Sequence, residues 1–148
     1  MACRSSVDFL KRYAKKIMTN ILQRYEALAD EKRWGEALPV IREIIDANPA
    51  IDTSWFNCGV CLDELGRHAE AAEAFIKAQE LNIEDWGIHY RILRSFFLAD
   101  DIDQFFEFAD YSCGLSSEMI AVLIDTPDFA SLHERPEFDA LKKKYAQY

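Results

Sequence analysis

Two cysteines separated by two residues, Cys58 and Cys61, form the spacing in this chain that most suggests chemistry. In other settings C-x2-C marks a redox centre or half of a zinc site. A redox centre of this kind would follow a β-strand, which the sequence does not predict. A zinc site would need two more ligands, and the three histidines do not have the paired spacing of zinc ligands (His68, His89 and His133). Buried cysteine packs as a small hydrophobe. We therefore expect both thiols to fill a helical core, with a redox or metal role as the minor alternative.

Other catalytic signatures are absent from the sequence. There is no Gly-rich phosphate loop, no H-E-x-x-H and no G-x-S-x-G. Two acidic pairs occur, Asp30-Glu31 and Asp100-Asp101, but both fall at predicted helix ends, where capping and solvation explain them. We therefore expect no enzymatic activity, no metal site and no cofactor.

Charge and hydropathy narrow the class of protein further. The chain has 148 residues, 50% of them hydrophobic, which suits a single domain with a sizeable core. We expect no secretion signal, and no apolar run approaches the ~20 residues that span a bilayer. Residues 1–24 carry +5 and the whole chain −9, which leaves −14 on residues 25–148. An acidic body disfavours nucleic acid, and we expect a cytoplasmic protein that does not bind membranes.

Apolar residues at steps of three and four predict an all-α chain. The first helix should begin after a cap at Ser5 or Ser6, with an apolar stripe that continues into the rest of the fold. Asp52, Asp101 and one serine of Ser116-Ser117 are the expected caps of later helices. The predicted helices span about 6–31, 34–48, 52–65, 68–82, 86–98 and 102–112, followed by a short helix to about 124.

One helical pair carries a repeat motif. Trp55, Gly59 and Leu62 are followed by Ala71, Phe75 and Ala78, in the spacings W-x3-G-x2-L and A-x3-F-x2-A. This resembles the tetratricopeptide repeat, a helix–turn–helix unit of about 34 residues. Steps of 34 residues give a fair upstream match (Tyr25, Leu28, Ala37, Ile41, Ile44 and Pro49) and a degenerate downstream one (Leu93, Phe96, Phe105 and Ala109). The resemblance implies a right-handed α-solenoid with three hairpins, at about 18–51, 52–85 and 86–119.

The C-terminal segment, about 120–148, is expected to cap this array. Pro127 and Pro136 each open a predicted helix. Four apolar residues behind them share a face (Phe129, Leu132, Phe138 and Leu141). The segment resembles the terminal pieces that follow repeat arrays in bacterial proteins, and it would cover the apolar face that the last repeat exposes.

The family geometry implies a concave groove lined by the first helix of each repeat. It commonly holds a peptide or helix of a partner protein, and we expect that function here. The residues that fall on the groove are Leu22, Gln23, Glu26, Phe56, Asn57, Val60, Asp63, Tyr90, Arg91, Arg94 and Phe97. Asn57 and Arg91 match two slots of a carboxylate clamp for chaperone tails, but Leu22, Glu26 and Gly87 do not match the others. That ligand is therefore disfavoured.

Two alternatives remain open. Phe56 and Tyr90 could pack beneath the N-terminal helix instead of meeting a ligand. The chain could also be a self-assembling scaffold, a homodimer formed through exposed aromatic residues such as Trp86 and Phe97. Under the groove hypothesis, Arg91 and Arg94 are one turn apart and form a cationic docking point for an acidic group.

Overall fold

The structure, a computed structural model, describes residues 2–82 and 86–146, with side chains from residue 6 onward. This part of the chain contains eight α-helices, one 3-10 helix and no strand. The elements are α1 (Ala2–Asp30), α2 (Trp34–Ala47), α3 (Asp52–Glu64), α4 (His68–Leu81), α5 (Trp86–Leu98), α6 (Ile102–Leu115), α7 (Met119–Asp125), the 3-10 helix (Pro127–Leu132) and α8 (Pro136–Tyr145). The predicted all-α class is confirmed.

The helices repeat with a period of 34 residues. α2, α4 and α6 each have 14 residues and begin 34 apart, and α3 and α5 each have 13 and also begin 34 apart. The turns between paired helices repeat as well, because Lys32, Gly66 and Asp100 all have positive φ angles of 56°, 75° and 58°. At each turn the amide of this residue donates to the carbonyl three residues back, and the next amide donates to the carbonyl five back. The turn is a left-handed helix C-cap, a conformation that glycine adopts readily, as Gly66 does in the middle hairpin.

The middle hairpin has the closest helix approach, at Gly59 on α3. A Cβ built there would lie 2.6 Å from Cε1 of Phe75 on α4, and Phe75 is fully buried. In the next repeat the equivalent slots hold Leu93 and Ala109, both fully buried. The small and large partners are thus exchanged between the two helices, so each pair fills a similar volume.

The C-terminal segment packs on the last hairpin as predicted. Pro127 and Pro136 each stand at the start of a helix, and the four apolar residues behind them are buried. The ring of Phe129 lies 4.9 Å from that of Phe105 on α6, centroid to centroid. From α8, Lys144 and the Tyr145 hydroxyl both donate to the Asp110 carboxylate, at 2.8 and 2.9 Å. The segment therefore covers α6 by burial and polar contacts together.

Three of the predicted caps are wrong. α1 begins at Ala2 and runs through Ser5 and Ser6. Asp52 is the first residue of α3, and the cap position before it is Ile51. α7 begins at Met119 after Glu118, which makes no capping bond, so neither residue of Ser116-Ser117 caps it. The Asp101 cap is confirmed, because its carboxylate accepts a hydrogen bond from the Gln104 amide at 3.3 Å.

The N-terminal stripe lies on one continuous helix, as expected, but only its second half packs into the core. Tyr25 is buried and Ile21 and Leu28 are partly buried, whereas Phe9, Leu10, Tyr13 and Ile17 are exposed. The physical reason is length, because α1 has 29 residues and its hairpin partner α2 has only 14. The second helix cannot cover the first half of α1.

Candidate functional site

The first helices of the middle and third repeats, α3 and α5, meet along one face. The guanidinium of Arg91 on α5 lies 4.9 Å above the ring of Phe56 on α3 and 5.8 Å from Phe75. Phe56 in turn lies edge-on to Phe75, with ring centroids 5.5 Å apart. We call the six predicted groove residues here the α3–α5 face: Phe56, Asn57, Val60, Tyr90, Arg91 and Arg94. All six are half-buried, so each retains surface for a ligand.

Arg91 and Arg94 have different surroundings on this face. Arg94 Nη1 lies 3.8 Å from Asp63 Oδ2, and its Nε lies 4.0 Å from Asp128 Oδ2. Arg91 pairs with no carboxylate in the part of the chain that the structure describes, and its guanidinium lies over the neutral rings of Phe56 and Phe75 instead. Of the two predicted cations, Arg91 is therefore the one whose N–H groups are available to an incoming acceptor.

Asp63 joins three helices at the edge of this face. Its side chain is only 9% exposed. The Ser95 hydroxyl of α5 donates to both carboxylate oxygens at 3.1 and 3.2 Å, and Nδ1 of His68, the first residue of α4, lies 2.9 Å from Oδ1. A buried carboxylate with this many partners fixes the packing of α3 against α5, since leaving it unpaired would be costly.

The 3-10 helix closes one end of the α3–α5 face. Phe129 lies 6.0 Å from the ring of Tyr90 and 5.8 Å from that of Phe97. The Tyr90 hydroxyl donates to Asp128 at 2.7 Å, and burial together with this hydrogen bond raises the pKa of Tyr90 above its ordinary value. The ring partners of Phe56 and Tyr90 are thus in α4 and the cap rather than in the N-terminal helix.

The groove residues from α1 are more open than those from α3 and α5. Leu22 and Glu26 are both exposed. No ion pair involves Glu26 in the described residues. Leu22 and Glu26 are thus one apolar and one acidic group on the open surface of α1, and Glu26 would disfavour a carboxylate near it.

The cysteines behave as core residues. Cys58 and Cys61 are buried, and Cys61 Sγ lies 4.0 Å from the Tyr25 hydroxyl. Burial raises the pKa of both thiols. Among the described side chains there is no group of three or more histidine, cysteine or acidic residues that could hold a metal ion. No helix in the described ranges is long and apolar enough to cross a membrane.

Two parts of this site were not predicted from the sequence. Asp63 was placed on the groove, but its contacts with three helices were not predicted, although its position beside the hairpin turn was apparent from the repeat. Asp128 gave no signal, because its role depends on how the C-terminal segment folds back by 38 residues onto Tyr90.

The chain matches no protein-family model and no curated protein. Its fold is similar to several solved structures. The Yersinia enterocolitica type III secretion chaperone SycD, in complex with a peptide of the translocator YopD, has a TM-score of 0.59 at 14% identity, over 87% of this chain and 95% of that chain. PcrH, in complex with the chaperone-binding region of PopD, has a TM-score of 0.60 at 13% identity, over 88% of this chain and 94% of that one.

A third structure, the CopN–Scc3 complex, has a TM-score of 0.60 at 16% identity, over 83% of this chain and 68% of that chain. At these identities the likeness establishes the fold, a tetratricopeptide-like helical solenoid. It agrees with the 34-residue period of the helices.

Proposed function

We propose that this chain is a non-enzymatic, cytoplasmic protein-interaction module, in which the α3–α5 face binds a peptide or helix of a partner protein. In this proposal one domain comprises three tetratricopeptide-like repeats and a C-terminal cap of the bacterial type. The reduced, buried cysteines suit a reducing compartment. The likeness to two chaperones crystallised with a peptide or binding region of another protein supports a peptide ligand.

The observation that carries the proposal is Arg91 stacked on Phe56 at 4.9 Å. The stack spans two repeats and holds the guanidinium in place, so little side-chain entropy is lost when a ligand binds. It presents an aromatic ring beside N–H donors that no carboxylate occupies. Such a site suits a peptide with an apolar anchor next to a carboxylate or a backbone carbonyl.

Arg94 takes a supporting role in this proposal. Because the carboxylates of Asp63 and Asp128 already partly neutralise the charge of Arg94, a ligand gains less binding energy from Arg94 than from Arg91. The Asp128 contact also limits the ligand, since the 3-10 helix occupies the end of the face beside Tyr90 and Phe97. The expected ligand therefore lies across Phe56, Val60 and Arg91, towards Leu22.

Selection of displayed random dodecapeptides against the full chain tests the proposal, followed by Kd measurements on the enriched sequences. Arg91→Ala should weaken binding by about tenfold to a hundredfold, because each charge-assisted hydrogen bond contributes about 1.5–3 kcal/mol. Arg94→Ala should weaken it less. Arg135→Ala, an exposed arginine at the start of α8, is the matched control and should leave Kd unchanged.

Enriched peptides whose affinity is the same in Arg91→Ala and Arg135→Ala would contradict the proposal. A shared acidic or apolar motif among the peptides, lost in a selection against the Arg91→Ala variant, would support it.

A further inference from the structure

The first half of α1 extends beyond the body of the protein. α1 and α2 form a hairpin joined by three residues, so the 14 residues of α2 can pair only with the second half of the 29-residue α1. The remaining 15 residues extend about 22 Å at 1.5 Å per residue. We call residues 2–16 the overhang.

The overhang exposes an apolar face. Phe9, Leu10 and Tyr13 are 60%, 61% and 57% exposed, and the rings of Phe9 and Tyr13 stack with centroids 6.2 Å apart. Val7 and, at the base, Ile17 extend the same face. Contiguous exposed apolar surface of this kind marks an interaction site. Lys11 and Lys15 are on the opposite side of the helix, whereas Arg12 and Lys16 lie along one edge of the apolar face, beside Phe9 and Tyr13.

A second, largely apolar surface lies between α2 and α4. These helices flank α3 and leave a cavity of about 630 Å³ above it. Five of the residues that line it are apolar (Ile45, Trp55, Leu62, Ala74 and Ile76). We call it the α2–α4 pocket. Its size is typical of sites that take one or two large side chains or a small molecule.

The charges at the mouth of this pocket favour a cation. Arg42 lies 3.8 Å from Glu70, and Lys77 donates to Glu80 at 2.8 Å, so both cations have carboxylate partners. Asp46 and Glu73 also line the pocket and take part in no ion pair among the described residues. An apolar cavity with two unpaired carboxylates complements an aromatic side chain with a cation beside it.

Both surfaces are at the same edge of the solenoid. The overhang leaves the body where α2 ends, at Ala47, next to Asp46 of the pocket. Trp55 is at this edge too, because its indole N–H donates to the Pro49 carbonyl in the turn that follows α2. As a straight helix, the overhang points away from its own pocket, so only another molecule can bring the two surfaces together.

We propose that two copies of this chain associate reciprocally, each inserting the Phe9–Tyr13 face of its overhang into the α2–α4 pocket of the other. Both halves of the contact are present on one chain, and their charges are complementary, with +5 on residues 1–24 and −14 on the remainder. A two-fold arrangement makes each contact twice. At roughly 100 Å² for each of five partly exposed side chains, with a similar area on the pocket, the pair buries about 2,000 Å². That area is sufficient for a stable dimer.

Analytical ultracentrifugation of the full chain from 1 to 100 μM tests this assembly. The wild type should sediment as a dimer. Leu10→Asp with Tyr13→Asp should be monomeric and fully helical, because these side chains make no contribution to the core of their own copy. Thr19→Asp with Gln23→Asp is the matched control, with the same charge change on exposed α1 positions off the apolar face, and it should remain dimeric.

Charge reversal identifies the pocket as the partner surface. Asp46→Lys with Glu73→Lys should raise the dimer Kd at least tenfold, and so should Arg12→Glu with Lys16→Glu. Combining all four changes in one chain should recover most of the loss, because the exchanged charges again face each other. Far-UV circular dichroism of every variant checks that the helical body is intact.

Three results would overturn the proposal. The first is a wild type that is monomeric throughout the concentration range, whether or not the monomer binds phosphatidylserine vesicles. The second is a dimer that persists in Leu10→Asp with Tyr13→Asp. The third is a dimer that is sensitive to the overhang but indifferent to Asp46→Lys with Glu73→Lys, which would place the overhang on a different surface.

Discussion

The close contact between Gly59 and Phe75 allows a mutation to distinguish the effect of helix propensity on stability from the effect of side-chain packing. In most helices Gly→Ala is stabilising by about 0.5–1 kcal/mol, because alanine loses less backbone entropy. At Gly59 we expect the opposite. A Cβ there would lie 2.6, 2.7 and 2.8 Å from three ring carbons of Phe75, against a normal carbon–carbon separation of about 3.5–4.0 Å.

The size of the effect follows from how little Phe75 can move. Its ring is fully buried and lies edge-on to Phe56, so α3 and α4 have to separate by about 1 Å to admit the methyl group. Overpacking of this kind costs about 1–3 kcal/mol. After the helix preference is subtracted, Gly59→Ala should destabilise by about 1–2 kcal/mol, which lowers Tm by about 2–8 °C for a chain of this size. Gly59→Leu should cost more.

Urea and thermal unfolding, followed by circular dichroism at 222 nm, measure this directly. Gly35→Ala is the matched control, because Gly35 is also helical, in α2, but a Cβ there meets no atom within 4 Å. That variant should be neutral or up to about 1 kcal/mol more stable. Phe75→Leu should partly rescue Gly59→Ala, with a coupling of about 0.5–3 kcal/mol. If Gly59→Ala proved as stable as Gly35→Ala, the assigned packing of α3 on α4 would be refuted.

Other predictions follow from the turns, the cap and the thiols. Lys32→Gly should raise unfolding stability by about 0.5–1 kcal/mol in urea titration, because Lys32 has φ 56° and glycine adopts this conformation without strain. Lys144 lowers the pKa of the Asp110 carboxylate in the folded protein. The charged carboxylate therefore stabilises the fold above its unfolded pKa of about 3.9, and this stabilisation is lost as the pH falls through the folded pKa. The stability difference between wild type and Asp110→Asn, measured by urea unfolding, should therefore be constant near neutral pH and shrink as the pH falls below about 3.9; a difference that stays constant at acid pH would contradict this. Burial raises the pKa of Cys113 to about 11, so in a Cys3→Ser background the native protein should react with DTNB at pH 8 far more slowly than the urea-unfolded protein.

Most helix positions could be predicted because they depend on neighbours in sequence. The apolar steps of three and four gave α5 its observed bounds, and the aspartate before α6 is a cap in the structure. The turns at Lys32 and Asp100 were not predicted, although both residues adopt the same left-handed conformation as Gly66 without being glycines. They lie 34 residues before and after Gly66, so the repeat keeps the backbone conformation where the residue type gives no signal for it.

The caps and the N-terminal stripe could not be predicted in the same way. Ser5 and Ser6 are good N-cap residues, but α1 continues to Ala2 through both of them. A polar residue near a predicted helix start is therefore a weak boundary signal when the residues before it can also be helical. The burial of the stripe depended on the length of α2, a property of a different segment. Phe9 and Tyr25 follow the same periodic pattern, and only the second lies beside a partner helix.

The two arginines of the candidate site show the same limit. Arg91 and Arg94 are three residues apart on α5 and looked equivalent in the sequence. Their roles diverge because Asp63 comes from the preceding repeat and Asp128 from the C-terminal cap, and both lie beside Arg94. Arg91 instead lies over Phe56, where a cation gains about 0.5–2 kcal/mol from the ring face, and no carboxylate of the described residues pairs with its N–H groups.

If the α3–α5 face binds a ligand as we propose, the cap limits the length of that face as well as covering the last repeat. α6 buries Phe105 against Phe129, so the 3-10 helix has to lie across the end of the third hairpin. In that position Phe129 also reaches Tyr90 and Phe97, and Asp128 reaches the Tyr90 hydroxyl. The cap that covers the last repeat therefore also occupies part of the surface of two aromatic side chains of α5, Tyr90 and Phe97. Under the proposed function this leaves Phe56, Val60 and Arg91 for a ligand, which is why we expect the larger loss of affinity from Arg91→Ala rather than from Arg94→Ala.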